Sequence, residues 1–527
     1  MLDNPIIRGF NPDPSFIRVG DDYYIATSTF EWYPGVQIHH STDLVNWRIC
    51  ANVLDRQSQL DLRGTVSSGG VWAPNLSYDQ GTFYLVYTDV KNRKGVYKDT
   101  HNYLVTAQEI TGPWSEPTYL NSSGFDPALF HDDDGRKWLI NMCWNFRRPN
   151  RKFDGILLQE FNEEKGKLIG PIKKIIEGKD NWVTEGSNLY KYNGYYYMLL
   201  AEGGTGFNHS VTVARAETIG GTYQLDPSSP LLTARHNPDH PIQKAGHGSL
   251  IQTQSGEWYM AYLCARPLPD KMCPLGRETA IQKCYWSEDN WLRLAGDSQL
   301  PLARIPEPDL PKSTRTSLAS YDDFGQSELA LHFHTLRVPA SEDWLSLTKR
   351  PGFLRLRGRE SLTSLYDQSV VARKVQHFYC DVETAVLFEP TSFNHMAGLI
   401  CLFDEDDLFY LRLSYDEDIG KHINVIWHEK GQYYEDFDSR VALDDLTICY
   451  LKLTIRLDRV QFFFATKISE WQPIGPTFNF GQLGDAFSGK LGFTGAYVGM
   501  CAQDIANGQQ YADFEFFHYK DDVKIEE

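Results

Sequence analysis

Asn11-Pro12-Asp13-Pro14-Ser15, with Asp22-Tyr23-Tyr24 beginning nine residues after the aspartate, opens a pattern that recurs through the first half of the chain. Trp72 stands nine residues ahead of Gly81-Thr82-Phe83-Tyr84, and Asp126 nine ahead of Gly135-Arg136-Lys137-Trp138. Glu185 leads Gly194-Tyr195-Tyr196-Tyr197 and His247 leads Gly256-Glu257-Trp258-Tyr259 by the same interval. Successive leading residues are 59, 54, 59 and 62 positions apart. A repeat of that length, built of short aromatic strands and glycine turns, predicts propeller blades. The first strand of each blade starts near the central axis, so the five leading residues are expected to converge there. Three carboxylates, an indole and an imidazole in one small space read as a site, not a core.

The repeat occupies residues 1–300. From Pro301 through Pro306, Pro308 and Pro311 to Ser320, closely spaced prolines predict an irregular connector over 301–323. After Asp322-Asp323-Phe324 the pattern changes to longer alternating or apolar strands such as Phe353-Leu354-Arg355-Leu356-Arg357 and Phe462-Phe463-Phe464-Ala465. Their spacing over 324–527 predicts a jelly-roll-like β-sandwich. The expected fold class is therefore all-β, a five-bladed β-propeller followed by a sandwich.

Composition narrows the partners. A net charge of -18 argues against nucleic acid and anionic membrane surfaces. The apolar runs have the length of strands, not of membrane spans. Nine scattered cysteines without zinc spacing suit free thiols in a reducing compartment. The start, Met1-Leu2-Asp3-Asn4-Pro5, lacks the pattern of a secretory signal, so a cytoplasmic location is expected.

Each candidate has a plainer alternative. Asp13, clamped between two prolines, could be a solvated turn residue. Asp126 before Pro127 and Glu185 before Gly186 could cap strand ends. Three unpaired acids converging on one axis are costly, which favours a function for the set. In a five-blade ring Asp126 and Glu185 sit on adjacent blades and Asp13 lies across the axis. Two neighbouring carboxyls resist double ionisation, so one keeps its proton. A proton-holding acid opposite a free carboxylate is the arrangement of an inverting glycosidase, with a separation of roughly 6.5–9.5 Å for the attacking water. Trp72 could be core, but at the axis it would stack on a sugar ring. Arg277, in Cys273-Pro274-Leu275-Gly276-Arg277-Glu278-Thr279, could balance charge and bind hydroxyls. His247 by itself reads as an ordinary buried histidine.

These segments, with Ser28-Thr29-Phe30-Glu31-Trp32-Tyr33-Pro34-Gly35, Gly69-Gly70-Val71-Trp72-Ala73-Pro74 and Gly492-Phe493-Thr494-Gly495-Ala496-Tyr497-Val498-Gly499-Met500, resemble glycoside hydrolase family 43, in particular its intracellular β-xylosidase branch. The resemblance covers nearly the whole chain. It implies Asp13 as general base, Glu185 as general acid, and Asp126 as the residue that raises and orients the acid. It also implies Phe30, Trp72, His247 and Arg277 as walls of the terminal-sugar subsite, with Tyr497 reaching over from the sandwich to close it. No cofactor is required by that chemistry. Calcium at the axial histidine of some members makes His247 a candidate Ca²⁺ ligand. The expected activity is exo-acting release of xylose from short 1,4-β-xylo-oligosaccharides, with α-L-arabinofuranosidase side activity, by a homo-oligomer. The rivals are arabinofuranosidase as main activity and a sugar-binding propeller without chemistry.

Overall fold

In the computed structural model, residues 1–296, 298–314, 319–443 and 446–521 are described. The first half is a ring of five antiparallel sheets, four of them four-stranded and the fourth blade extended by a fifth short strand, Leu232–Thr233. Blade 1 runs through Ser15–Val19, Asp22–Thr27, Gly35–Ser41 and Arg48–Leu54. Blades 2 to 5 begin at Gly70–Asp79, Ala128–His131, Thr184–Tyr192 and Gln243–Gln252. Each inner strand packs against those of its two neighbours, and the fifth against the first, which closes the ring.

Burial falls from the axis outward. Gln243–Gln252 is buried at every residue but its last, because blades cover both of its faces. The outermost strand of blade 3, Lys167–Glu177, is mostly solvated. Apolar side chains fill the gaps between blades: Val36, Leu76 and Tyr87 join blades 1 and 2, and Leu199, Val213 and Met260 join blades 4 and 5. This double cover explains why the second strands, such as Tyr195–Glu202 and Trp258–Ala265, read as near-continuous apolar runs and not as strict alternation.

The proline-rich connector differs from the irregular segment expected. Arg304–Ile305 pairs with Leu2–Asp3, and Tyr321–Asp322 pairs with the last strand at Phe517 and His518. Both pairings stop after two residues. On the first, Pro306 follows directly and has no N–H to continue the ladder.

Two antiparallel sheets with one shared core form the second half. One of them reaches into the propeller. Trp32–Tyr33, which lies between two strands of blade 1, pairs with His334–Leu336 and becomes the edge of a nine-stranded sheet. The two halves are therefore joined by backbone hydrogen bonds as well as by side chains. No helix among the described residues is long and apolar enough to cross a membrane.

Candidate active site

Left-handed backbone marks the inner end of every blade. Asp13, Ala73, Asp126, Gly186 and His247 have φ of 53, 37, 54, 56 and 55°. Trp72 and Glu185 thus leave the chain one position before the residues equivalent to Asp13, Asp126 and His247. The offset arises from the hairpins. Asp22, Thr82 and Tyr195 are the residues that re-enter the ladder in blades 1, 2 and 4, whereas the turn glycines stand at different places within those turns. The glycine after Glu185 is dictated by space. A Cβ there would lie 2.9 Å from Nδ1 of His247 and 2.8 Å from Cβ of Ala201.

All three acids are buried at this end of the ring, with residual exposures of 6% for Asp13, 8% for Asp126 and 8% for Glu185. Oδ1 of Asp13 accepts from Nη1 of Arg277 at 3.0 Å and lies 3.6 Å from Nδ1 of His247. Its Oδ2 accepts from the Ser28 hydroxyl at 2.6 Å. That hydroxyl in turn accepts from the N–H of Ala73 at 2.8 Å. Burial alone would raise the Asp13 carboxyl. Arg277, His247 and the Ser28 hydroxyl outweigh it and hold the group below its usual range, ionised at neutral pH.

Glu185 is the opposite case. Burial, and then the negative charge of Asp13, push its carboxyl up to about 7, with Arg277 and Lys98 pulling the other way. Asp126 is pushed up by burial, by Glu185 and by Asp13, while the N–H of Gly186, 3.0 Å from its Oδ2, favours its ionised form. Asp126 and Glu185 therefore titrate as a pair that retains a proton near neutral pH. One ionised and one proton-bearing carboxyl in a shared cleft can deliver a proton to one side of a bond and activate water on the other.

The walls are aromatic. Trp72 meets Phe125 edge-on at 5.3 Å, and Phe30 lies 6.1 Å from Trp72. The ring expected from Tyr497 is elsewhere. Tyr497 is 0% exposed and stacks on Trp32 at 3.7 Å, inside the seam between the two halves. It cannot touch a ligand. The ring that reaches the cleft is Phe493, 5.2 Å from Trp72, 5.9 Å from Phe30 and under the Arg277 guanidinium at 5.5 Å. The reason lies in the turn between them. Gly495 sits so close to the Leu275–Gly276 backbone that a Cβ would be 2.8 Å from Gly276 N, and Ala496 N–H donates to Pro274 O at 2.7 Å. This docking places the residues before the turn at the cleft and turns the strand after it, Tyr497–Asp504, back into the sandwich.

Ser68 ties these walls together. Its carbonyl accepts from Nε1 of Trp72 at 3.0 Å, and its hydroxyl accepts from the N–H of Phe493 at 3.0 Å. Its own N–H donates to the buried Glu31 carboxyl at 3.0 Å. Burial raises Glu31 to about 7 against the pull of Arg337, a sandwich residue. Ser28, Ser68, Lys98 and Phe493 were not singled out from sequence. The side chain of Lys98 lies over Trp144, where burial lowers its amine to about 8.

The protein groups around His247 supply few oxygens for calcium. Calcium takes six to eight oxygens. The one carboxylate beside this ring is Asp13, already engaged by a guanidinium and a hydroxyl. Among the described residues no three His, Cys, Asp or Glu side chains are grouped to hold a metal.

Residues 2–292 match the family model described as glycosyl hydrolases family 43, and residues 321–520 match the β-xylosidase C-terminal concanavalin A-like domain. The chain belongs to glycosyl hydrolases family 43. A crystal structure of xylan β-1,4-xylosidase from Bacillus halodurans C-125 superposes with a TM-score of 0.97 at 53% identity, covering 99% of this chain and 100% of that one. A β-xylosidase of Bacillus subtilis (strain 168) is 44% identical, with 99% of each chain covered. Xylosidase/arabinosidase 43B of Humicola insolens is 46% identical over 98% of this chain and 97% of its own. The likeness to these family 43 proteins spans both halves, so the sandwich is part of what is shared.

Proposed function

We propose that this family 43 protein is an exo-acting xylan 1,4-β-xylosidase that releases xylose from the non-reducing ends of short xylo-oligosaccharides with inversion. The observation that carries the mechanism is the divergent protonation of Asp13 and Glu185 in one buried cleft. Asp13, held ionised by Arg277, takes a proton from water as the oxygen attacks the anomeric carbon. The glycosidic bond breaks, and its oxygen leaves with the proton of Glu185. Asp126 supplies the acid with a neighbouring charge and fixes its strand through Gly186. Afterwards Asp13 carries a proton and Glu185 a charge, and exchange with solvent resets both.

Phe30, Trp72 and Phe493 offer apolar faces to the sugar, and Arg277 keeps an Nε–H without a protein partner for a hydroxyl. His247, neutral because burial lowers its pKa, offers a ring nitrogen beside Asp13. In this division of labour residues 1–300 carry the chemistry and residues 324–527 close the cleft, limiting it to chain ends. α-L-Arabinofuranosidase side activity belongs to the proposal, supported by the dual name of the Humicola insolens relative. Free thiols throughout the nine cysteines support a cytoplasmic enzyme acting on imported oligosaccharides. Homo-oligomeric assembly is testable by light scattering.

Comparing kcat/KM on xylobiose with that on an aryl α-L-arabinofuranoside tests the assignment. A higher value on xylobiose is expected; a preference for the arabinofuranoside would make that the principal activity. Turnover of neither would reduce the protein to a sugar-binding module.

A further inference from the structure

A second cavity, of about 950 Å³, opens between the N-terminal segment, blade 1 and the sandwich. Its lining is cationic. Arg8, Arg373 and Lys374 all face it, and among the described residues none of the three has a carboxylate within ion-pair reach. Of the lining acids, Asp3 is taken by Arg304 at 2.7 Å and Asp521 lies 3.5 Å from His377.

Lys374 is 5% exposed, and its ammonium donates only to neutral oxygens, Asn11 Oδ1 at 2.8 Å and Gln37 Oε1 at 2.9 Å. Burial, with nothing opposing it, holds its amine down to about 7. Arg373 is 4% exposed and donates to the Ala319 carbonyl and the Gln376 side chain, leaving its buried Nε–H without a partner. Buried cations are normally paired, and buried donors normally bonded. Here two buried basic side chains without a carboxylate partner border open space.

We propose that this cavity is an anion site that takes a small multivalent oxyanion of the phosphate class. Two buried cations with Arg8 at the mouth match a di- or trivalent charge better than a carboxylate. Arginine and lysine together supply the bidentate and point-charge contacts that phosphate oxygens accept. Asn11 connects the site to the catalytic strand, since its side chain accepts from Lys374 and its N–H donates to the Arg277 carbonyl at 2.8 Å.

Calorimetric titration of the full-length protein with inorganic phosphate, in chloride buffer of constant ionic strength, tests the site. One saturable phosphate per chain is expected, with affinity reduced at least tenfold in Lys374→Met and about threefold in Arg8→Gln. Arg8 is a surface residue, so its variant decides the question should Lys374→Met fold poorly. A parallel titration with ribose 5-phosphate separates sources: tighter binding than phosphate points to a phosphomonoester, weaker binding to the free anion, and both support the site. Heats no larger than those of added chloride, or wild-type affinity in both variants, would overturn the proposal.

Discussion

Replacing Phe493 by alanine should disable the enzyme from the side of the sandwich. The ring is only partly buried, so its loss should cost the fold less than the ~3–5 kcal/mol of a fully buried phenylalanine. Its effect on the cleft is larger. Phe493 covers Arg277 and meets Trp72, and without it water should enter the cleft at the Arg277–Asp13 pair. Burial is the first cause of the raised Glu185 carboxyl, which stands at about 7 against an ordinary 4.5. Admitting water should bring that pKa down by about 1–2, each step of one being worth about 1.4 kcal/mol. A group whose pKa falls gives up its proton sooner, so the alkaline limb of the pH–rate profile should move down by the same amount. At neutral pH, where the wild-type acid is about half protonated, this reduces kcat/KM roughly 5–50-fold, or ~1.0–2.3 kcal/mol. The assay is a pH profile of xylobiose hydrolysis with a thermal melt on the same sample. Tyr497→Phe is the control, because it removes a hydroxyl that has no partner and should leave activity within about twofold. Phe493→Ala with an unmoved alkaline limb and near-normal kcat/KM, or a Tyr497→Phe variant that loses activity, would refute the reasoning.

Asp126→Asn should also lower the alkaline limb, by about one unit or more, since the last proton then leaves a lone Glu185 instead of a pair; an unmoved limb would assign Asp126 to holding a sugar hydroxyl. Glu185→Ala should lose far more activity on xylobiose than on a 2,4-dinitrophenyl xyloside, whose leaving group needs no proton, whereas Asp13→Ala should lose both; equal losses for Glu185→Ala would remove it from the acid role. Gly495→Ala, which forces a Cβ to within 2.8 Å of the Gly276 backbone, should undock the turn and cost at least tenfold in kcat/KM while each half stays folded, as read by activity and circular dichroism; full activity would mean the close approach is dispensable.

Much of the architecture was readable in the chain because propeller blades repeat their turns. Nine-residue spacing located five inner strands, and two prolines around Asp13 or one after Asp126 marked where a backbone must turn sharply. The offset at Trp72 and Glu185 escaped because counting to a glycine measures the turn, not the ladder, and the hairpins differ in length. Phe493 and Tyr497 were exchanged for a different reason. Both are aromatic rings in a glycine-rich segment, and only the docking of Gly495 on Gly276 decides which faces the cleft. Trp32–Tyr33 was equally hidden, since a two-residue strand completing a sheet three hundred residues away leaves no periodicity of its own. Ser68 illustrates the general limit: it works through its backbone N–H, its carbonyl and its hydroxyl at once, and none of these is specific to its place in the sequence.

The central claim is that Asp13 activates a water while Glu185 protonates the leaving oxygen in a single displacement. Proton NMR of the anomeric region during the first minutes of xylobiose hydrolysis, with enough enzyme to outrun mutarotation, tests it directly. Displacement by water from the face opposite a β-linkage must give α-xylose first, with the β-anomer growing in only as mutarotation proceeds. Initial appearance of β-xylose would require a covalent glycosyl-enzyme and would contradict the assignment of Asp13 as a base.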